Sequence, residues 1–302
     1  MRKEKALLIV NPAAGYNTGE RIYKRVYGDL KGAFDRLDLK VSESPGKAVE
    51  IATEASDDGY ELLIALGGDG TAFEVLNGIM KSEIKKKPAM SFIPSGSGNS
   101  FLKDFNINTH QEAVERIING KRKKIDIIKY DFHNGGSKET AYFMNIMGIG
   151  FIARVAVMRL KYFRLFKSFG YTLGVLFQTI VLKPDRLKVL IDGKKEEITC
   201  NFVSISNSKY TGGNMMMAPG ALLNDGKMDI IILKDAGRMK LLRSFPKIFK
   251  GTHVKMSEVA DLQAKKIDIE SDNPMNILVD GEVIGSTPLT AKVLPKALEV
   301  II

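Results

Sequence analysis

The chain has 302 residues, of which 44% are apolar and 26% are charged. These values fit a soluble globular protein of two domains, and no apolar run approaches the ~20 residues that span a bilayer. The single cysteine, Cys200, excludes an internal disulfide and indicates a reducing, cytoplasmic compartment. Only five apolar residues, Ala6–Val10, precede Asn11-Pro12, which predicts a first strand and not a signal peptide.

The charge balance is basic, with 45 Lys and Arg against 35 Asp and Glu, or +10. Two segments contain no acid at all, Thr140–Lys183 and Ala236–Ser257, and both interleave cations with apolar residues. Such segments attract nucleic acid or an anionic membrane surface, and the interleaved apolar residues favour the membrane. A solvated helix face that packs its other side into the core is the alternative.

The first 128 residues alternate strand and helix patterns, which predicts a doubly wound parallel sheet. The predicted strands are Lys5–Val10, Leu37–Glu43, Leu62–Leu66 and Ala89–Ile93. The predicted helices are Gly19–Phe34, Gly46–Asp58, Thr71–Met80 and Gln111–Asn119.

The loops 11–15, 42–46, 67–71 and 94–99 all follow predicted strands, so we expect them to meet at the carboxyl edge of the sheet. The loop Gly67-Gly68-Asp69-Gly70-Thr71 joins a buried strand to a helix. Its glycines allow close approach to a ligand, and the helix N-terminus attracts an anion. An aspartate there indicates a nucleotide phosphate with Mg²⁺. The alternative is a plain tight turn with a capping aspartate.

Residues 129–302 predict a largely antiparallel β-sandwich with a helical insertion at Phe151–Leu182, and the boundary falls near residue 128. The strands are predicted at Ile125–Phe132, Thr140–Met147, Leu187–Ile191, Ile198–Ser206, Lys227–Leu233, Lys265–Ser271, Asn276–Val279 and Leu289–Val293.

Several common sites are disfavoured. No Walker A sequence is present, which argues against a P-loop kinase. The segment Gly148–Ala153 matches a dinucleotide fingerprint, but the acid expected about 20 positions later is missing. The three histidines are scattered without the spacing of zinc ligands.

Near the C-terminus, Asp280-Gly281-Glu282 follows a predicted strand. The two carboxylates suit a base and a metal partner, whereas Asp-Gly alone is a strong hairpin signal. Both interpretations stay open on the residues alone.

Four motifs in this order make the chain recognisable: Asn11–Gly15, Gly67–Thr71 with Glu74–Gly78, Pro94–Asn99, and Asp280–Glu282. The chain resembles the diacylglycerol kinase catalytic superfamily, which includes soluble bacterial lipid kinases and sphingosine kinases. NAD kinases share the Gly-Gly-Asp-Gly motif and the two-domain plan. The Glu74-Val75-x-Asn77-Gly78 continuation and the late Asp-Gly-Glu resemble the lipid-kinase branch.

The resemblance implies an ATP site whose members come from the strand-to-helix loops and from the helix after the glycine turn. They are Asn11, Pro12, Ala13, Ala14, Gly15, Ser42, Gly67, Gly68, Asp69, Gly70, Thr71, Ala72, Phe73, Glu74, Asn77, Gly96, Ser97 and Asn99.

The resemblance also implies catalytic and metal-binding residues. Glu282 or Asp280 removes the proton of the lipid hydroxyl. In the mechanism that we expect, Asp69 organises the catalytic Mg²⁺ through water. A structural Mg²⁺ is implied at the Asp225 carboxylate with the backbone carbonyls of Leu222 and Lys227, a donor set that suits a hard cation. Asp126 belongs with the metal-binding set, as a member of an acid network with Asp69.

Two departures from the family pattern bear on the substrate. Ser100 stands where many bacterial diacylglycerol kinases have an aspartate. Arg154 stands where sphingosine kinases place an acid that meets the lipid amine. Since an arginine repels a sphingoid ammonium, we expect diacylglycerol or another glycerolipid as substrate.

The predicted protein is therefore an ATP- and Mg²⁺-dependent lipid kinase in the cytoplasm, peripherally associated with an anionic membrane surface. A nucleic-acid partner is not expected, and a homodimer stays open. The alternatives are an NAD kinase of the same fold and a non-catalytic regulator that binds nucleotides or nucleic acid.

Overall fold

The computed structural model describes residues 2–96, 98–162 and 169–302. The chain divides into two units, one formed by Met1–Ile127 with Lys296–Ile302 and the other by Ile128–Pro295. Residues 296–302, which the sequence analysis groups with the second domain, belong to the first unit. They do so because the last strand pairs in parallel with the fourth, Val300 beside Met90.

Strands and helices alternate in the first unit, as predicted. The strands are β1 (Arg2–Val10), β2 (Phe34–Val41), β3 (Leu62–Gly67), β4 (Ala89–Pro94) and the start of β5 (Arg122–Asn134). The helices are α1 (Ala14–Asn17), α2 (Gly19–Ala33), α3 (Lys47–Asp57), α4 (Asp69–Lys81) and α5 (His110–Asn119), with a 3-10 turn at Phe101–Phe105.

The central strands of this unit are parallel, in the order β4-β3-β1-β2. Strand β3 is buried along its whole length, which explains its continuous apolar sequence. The chain steps from β1 to β2 in one direction and then returns past β1 to β3 and β4 in the other. Right-handed crossovers therefore place α2 on one face of the sheet, and α3 and α4 on the other. The reversal point lies between β1 and β3, where ligands bind in doubly wound sheets.

Antiparallel strands dominate the second unit. They are the remainder of β5, β6 (Ser137–Phe143), β7 (Ile146–Gly150), β8 (Asp185–Ile191), β9 (Lys194–Ser206), β10 (Tyr210–Thr211), β11 (Met215–Met216), β12 (Met228–Lys234), β13 (Val259–Ala264), β14 (Lys266–Ser271), β15 (Asn276–Val279) and most of β16 (Glu282–Ile301). The fold class predicted from the sequence is thereby confirmed.

The helices of the second unit are α6 (Phe151–Tyr162), α7 (Phe169–Ile180) and α8 (Arg238–Ile248), with a 3-10 turn at Thr252–Lys255. Their apolar sides pack into one core with strands β9 and β12, through residues such as Val155, Val175 and Leu241. The helical insertion predicted at 151–182 corresponds to α6 and α7, except for residues 163–168, which lie outside the described residues.

Three features of the second unit differ from the sequence prediction. The single strand predicted at Thr140–Met147 is two strands, because β6 pairs with β5 while β7 pairs with β9 and β15. The segment Tyr142–Met147 stays largely apolar through this change of partner, so the sequence does not reveal it. Helix α8 and strand β13 were not predicted as elements. Strand β16 is far longer than the predicted Leu289–Val293.

Among the described residues, no helix is long and apolar enough to cross a membrane.

Candidate functional site

The loops that follow the parallel strands begin at one edge of the sheet in the first unit. Three backbone hydrogen bonds continue the ladder one residue beyond the strands: Ser42 N–H to Val10 O at 2.8 Å, Asn11 N–H to Leu66 O at 3.0 Å, and Ser95 N–H to Gly67 O at 2.9 Å. The loops starting at residues 11, 42, 68 and 95 therefore meet at this edge.

Asn11 braces the first of these loops against helix α4. Its Nδ2 donates to Thr71 Oγ1 at 3.0 Å, and its Oδ1 accepts from the Ala13 N–H at 3.1 Å. Both ends of the amide are thus used within the protein. Asn11 fixes the loop through these contacts, which leaves the loop backbone to meet a ligand.

Gly15 closes the same loop, at a position where no side chain fits. Its φ is +62°, and a Cβ would lie 1.7 Å from the backbone oxygen of Ser95. Gly96 in turn approaches Gly68 so closely that a Cβ on Gly96 would lie 2.6 Å from the Gly68 Cα. The loops after β1, β3 and β4 therefore pack backbone against backbone, which requires the glycines of all three motifs.

Asp69 is the first residue of helix α4, although the sequence analysis places it in the preceding turn. Its carboxylate accepts from the Ser100 N–H at 2.8 Å and contacts the Ser100 hydroxyl at 3.5 Å. Burial raises the pKa of Asp69 to about 6, and hydrogen bonds from Ser100 and from the backbone of Asn99 and Phe101 oppose this rise. Asp69 is thus a desolvated carboxylate poised near neutral pH, as is typical of functional groups.

Ser95 belongs to the Pro94–Asn99 motif but is not among the predicted ATP-site residues. Its hydroxyl is buried at the point where the loops meet and has no hydrogen-bond partner in the described part of the chain. An orphan buried hydroxyl is costly, so a bound group would relieve it. The predicted Ser97 lies outside the described residues. Asn99 has a φ of +49° and donates from its side chain to Gly96 O at 2.7 Å, which stabilises the loop.

Glu74 and Asn77, both expected at the nucleotide, make contacts that support the neighbouring elements. Glu74 accepts from the N–H groups of Gly46 at 2.9 Å and Ala48 at 3.2 Å, so its carboxylate lies at the N-terminus of α3. A carboxylate at a helix N-terminus is favourable and holds the β2–α3 loop in place. Asn77 is buried within α4 and donates to Phe73 O at 2.8 Å.

Asp126, which was expected in a network with Asp69, is fully buried. Its carboxylate accepts from the backbone N–H of Lys296 at 2.7 Å, where the chain has a positive φ of +52°. This contact holds the returning end of β16 in the first unit.

In the second unit, Asp280 and Gly281 form a tight hairpin turn between β15 and β16, with φ values of +48° and +94°. Asp280 is buried, and its carboxylate accepts from the Ile146 N–H at 2.9 Å. Glu282 is exposed at the first position of β16. The hairpin interpretation of Asp-Gly is therefore correct, and the turn presents two carboxylates in different environments.

The predicted metal residues Leu222, Asp225 and Lys227 lie on an exposed turn before β12, where Asp225 accepts from the Lys227 N–H at 3.0 Å. The buried Asp229 nearby was not predicted. Its pKa is raised to about 6, first by burial and further by the charges of Asp261 and Asp225, while a hydrogen bond from Gln263 opposes the rise. This negative potential suits a cation. Among the described residues, however, no group of three His, Cys, Asp or Glu is placed to hold a metal, so backbone oxygens would have to complete the site.

An apolar cavity with a free volume of about 40 Å³ lies in the second unit. Its walls come from helices α6, α7 and α8 and from the strands beneath them, with Phe151, Val175 and Phe245 among the lining residues. Two polar side chains, the buried Ser244 and His253, also line it. The His253 Nε2 lies 3.0 Å from Met217 O, and burial lowers the pKa of the ring.

Arg154 of α6 has an ion-pair partner, Asp185, that the sequence does not predict. Its Nη1 donates to both carboxylate oxygens of Asp185, at 3.0 and 2.8 Å, and its Nη2 donates to Lys183 O at 3.2 Å. The positive charge that is expected to repel a sphingoid ammonium is therefore neutralised by Asp185. Asp185 follows the end of the acid-free segment and is 31 residues away, so no local pattern indicates the pairing.

Comparison with known protein families agrees with this geometry. Residues 5–130 match the diacylglycerol kinase catalytic domain. Residues 145–302 match the YegS C-terminal NAD kinase beta sandwich-like domain. Together the two matches cover nearly the whole chain.

Individual relatives give the same result. A diacylglycerol kinase of Bacillus subtilis is 28% identical over 290 residues, covering 94% of this chain and 92% of the relative. The crystal structure of a diacylglycerol kinase from Bacillus anthracis has a TM-score of 0.76 at 24% identity and covers 100% of this chain and 97% of its own. A yeast NADH kinase in complex with NADH has a TM-score of 0.52 at 13% identity, and the match covers 99% of this chain and 83% of the yeast chain. The two structures share the fold with this chain.

Proposed function

This chain belongs to the diacylglycerol kinase family of ATP-dependent lipid kinases, and we propose that it phosphorylates the free hydroxyl of diacylglycerol or another neutral glycerolipid. The observation that carries the proposal is the meeting of the three glycine-rich loops around Asp69 at the switch point of the parallel sheet. Tight backbone packing presents N–H groups at the start of α4, and such groups bind phosphate.

In this proposal the ATP phosphates lie against Asn11–Gly15 and Gly67–Phe73. Ser42 and Ser97 are hydroxyl contacts, and Ser95 adds a third, supported by its unpartnered buried hydroxyl. Glu74 and Asn77 act as positioning residues, because their side chains are used by α3 and by α4 itself. Phosphoryl transfer needs mainly positioning and charge neutralisation, which rigid loops supply.

Asp280 or Glu282 takes the proton of the lipid hydroxyl as it attacks the γ-phosphorus, and ADP leaves. Asp280 is held by the Ile146 N–H and by its place in the turn, so it has a fixed geometry. Glu282 is exposed at the first position of β16, so its carboxylate can pass a proton on to solvent, which suits a base. Replacing each carboxylate in turn by its amide separates the two.

Mg²⁺ belongs to the proposal at two places. Asp69 would hold the ion that accompanies ATP, and when bound this ion neutralises the charge on the phosphates. Asp225 with the carbonyl oxygens of Leu222 and Lys227 would hold a structural ion, supported by the negative charges of Asp225 and Asp261, which help to raise the pKa of the buried Asp229. In both cases the protein supplies hard oxygen donors, which Mg²⁺ prefers.

The acceptor is proposed to be neutral because the Arg154–Asp185 pair carries no net charge. The apolar cavity behind α6, α7 and α8 would receive acyl chains. Its free volume of about 40 Å³ is far below that of ligand pockets of about 300 Å³ or more, so acyl binding requires the helices to part. We further propose a cytoplasmic protein that associates peripherally with anionic membranes. No role with nucleic acid is expected, and a homodimer remains compatible.

The experiment is a transfer assay with γ-labelled ATP, Mg²⁺ and separate acceptors: diacylglycerol, phosphatidylglycerol, ceramide and sphingosine in mixed micelles, and NAD in solution. We expect label in diacylglycerol or another neutral glycerolipid. Label in NAD alone would support the other kinase of this fold. ATP binding without transfer to any acceptor would favour a non-catalytic regulator.

A further inference from the structure

We propose that helices α7 and α8 form the surface on which this protein docks to an anionic lipid bilayer, and that the same helices form the gate to the apolar cavity. The proposal rests on the proposed lipid kinase activity and deepens it, because it assigns the membrane contact to named side chains. The docking surface is defined here as the outer sides of α7 and α8 with the residues that follow each helix.

Helix α7 presents an unusual apolar outer side. Leu176, Phe177 and Ile180 are 47%, 49% and 65% exposed, and Val181 just beyond the helix is 51% exposed. On the opposite side Val175 is 3% and Thr179 2% exposed. Four large exposed apolar side chains so close together are more than isolated surface residues and mark an interaction site.

Helix α8 lies beside α7 and carries a cationic stripe. Arg243, Lys247 and Lys250 are exposed, and their spacing of three to four residues puts them on one side of the chain. In the described part of the chain none of the three has an ion-pair partner, in contrast to Lys240, which pairs with Glu258. The exposed Met239 and Phe249 flank the stripe, at 62% and 47% exposure.

The apolar side of α7 and the cations of α8 together indicate that an anionic bilayer binds to this surface. Cations without partners beside exposed apolar side chains complement anionic headgroups over an acyl layer, as in helices that lie in the membrane interface. A protein partner would have to supply both acids for the cations of α8 and an apolar surface for α7. An anionic bilayer supplies both at once.

The inner sides of these helices add an independent argument. Val175 of α7 and Leu241, Phe245 and Ile248 of α8 line the apolar cavity. A bilayer seated on the outer sides would therefore contact the elements that close the acyl site. Insertion of α7 offers an acyl chain a path from the bilayer into the cavity without crossing water.

The test compares three variants of the full chain. The cation variant is Arg243→Gln/Lys247→Gln/Lys250→Gln, and the apolar variant is Phe177→Ser/Ile180→Ser. The control is Lys188→Gln/Lys194→Gln/Lys195→Gln, which removes three exposed cations from the β8–β9 hairpin. Binding is measured by co-sedimentation with vesicles of phosphatidylglycerol and phosphatidylcholine, and activity with diacylglycerol in those vesicles and with dioctanoylglycerol as monomers.

We expect the cation variant to lose about 100-fold in vesicle partitioning, at about fivefold per cation. The apolar variant should lose at least about tenfold, whereas the control keeps wild-type binding to within about fivefold. Turnover of the monomeric lipid and the melting temperature should stay at wild-type values in all variants. Wild-type vesicle binding by both test variants would overturn the docking surface. If the wild type phosphorylates neither form of lipid, the proposed function is contradicted, whereas the docking surface is still decided by the vesicle binding of the variants.

Discussion

The carboxylate of Asp69 accepts the backbone N–H of Ser100 at 2.8 Å, which ties the start of α4 to the loop that follows β4. The resemblance noted in the sequence leads us to expect an aspartate at this position, whereas here a serine hydroxyl lies 3.5 Å from the carboxylate. A second carboxylate so close would share a proton with Asp69. Serine leaves Asp69 as the single acid of this contact, and its protonation state then decides the charge at the glycine loops.

Asp69→Asn should abolish lipid phosphorylation while the fold is kept. The asparagine oxygen can still accept the Ser100 N–H, but the negative charge is lost. We expect kcat to fall by at least about 100-fold, the effect of removing an electrostatic group that acts in the transition state. Steady-state kinetics and a melting curve check this. Retained turnover, or loss of the folded state, would contradict the role given to Asp69.

The ionised carboxylate of Asp69 should also lower the free energy of unfolding at neutral pH. Its pKa of about 6 exceeds the 3.8 of an exposed aspartate, so between these values the folded protein binds more protons than the unfolded chain. Its contribution to the free energy of unfolding is therefore favourable below pH 4 and is lost as the pH rises through 6. Asp69→Asn should be more stable than the wild type at pH 8, on the order of 1–2 kcal/mol, and the gain should shrink at pH 4. Urea unfolding at pH 8 and pH 4 measures the difference in the free energy of unfolding between the variant and the wild type. An equal difference at both pH values would contradict the raised pKa of Asp69.

Gly15→Ala should destabilise the protein and weaken ATP binding. The new methyl group would meet the Ser95 oxygen and force a residue with a Cβ into a left-handed conformation. We expect a loss of about 2–4 kcal/mol in the free energy of unfolding. Gly28→Ala is the matched control, since no atom lies within 4 Å of the position that the new methyl group would take on this exposed helical glycine, and the change should gain up to about 1 kcal/mol. Equal effects of the two changes would show that the loop does not need its glycine.

The variants Asp280→Asn and Glu282→Gln should show which of the two carboxylates is the general base and which one only stabilises the turn. Asp280 is buried and holds the Ile146 N–H, so its replacement should lower the free energy of unfolding by about 1 kcal/mol. Glu282→Gln on the exposed strand should leave stability unchanged. The account requires that at least one change lowers kcat by about 100-fold or more with little effect on KM, as expected for a general base. If both variants keep their kcat, neither residue is the base.

Arg154→Gln should shift the substrate preference towards a cationic lipid. Without the guanidinium, the Asp185 carboxylate is left uncompensated beside α6. One unit charge about 10 Å away at an effective dielectric near 20 is worth roughly tenfold in rate. We expect the ratio of sphingosine to diacylglycerol turnover to rise by that factor, and Arg186→Gln, an exposed neighbour on β8, to leave it unchanged. An unchanged ratio for Arg154→Gln would show that the pair does not face the lipid.

The sequence was most informative where local pattern and fold agree. The strand-and-helix alternation of the first unit and the glycine loops at the strand ends are visible in the residues, because burial and backbone conformation act locally. The meeting of these loops follows from parallel pairing, and the hydrogen bonds beyond β1 and β3 bear it out.

Contacts between residues that are distant in the sequence could not be predicted from local patterns. The sequence predicts an uncompensated cation at Arg154, because its partner Asp185 is distant in sequence. Glu74 was assigned to the nucleotide from its motif, whereas its carboxylate lies at the N-terminus of α3. The acids Asp229 and Asp261 stayed unnoticed because strands β12 and β13 bring them together, and β13 was not predicted.

The most direct test of the account is the lipid product of the wild type beside that of Asp69→Asn. Each protein is incubated with ATP, Mg²⁺ and dioctanoylglycerol, and the lipid is analysed by mass spectrometry. We predict that dioctanoylglycerol gains one phosphoryl group with the wild type and none with Asp69→Asn. Release of ADP and inorganic phosphate by the wild type, with the lipid unchanged, would contradict the assignment of this chain as a lipid kinase.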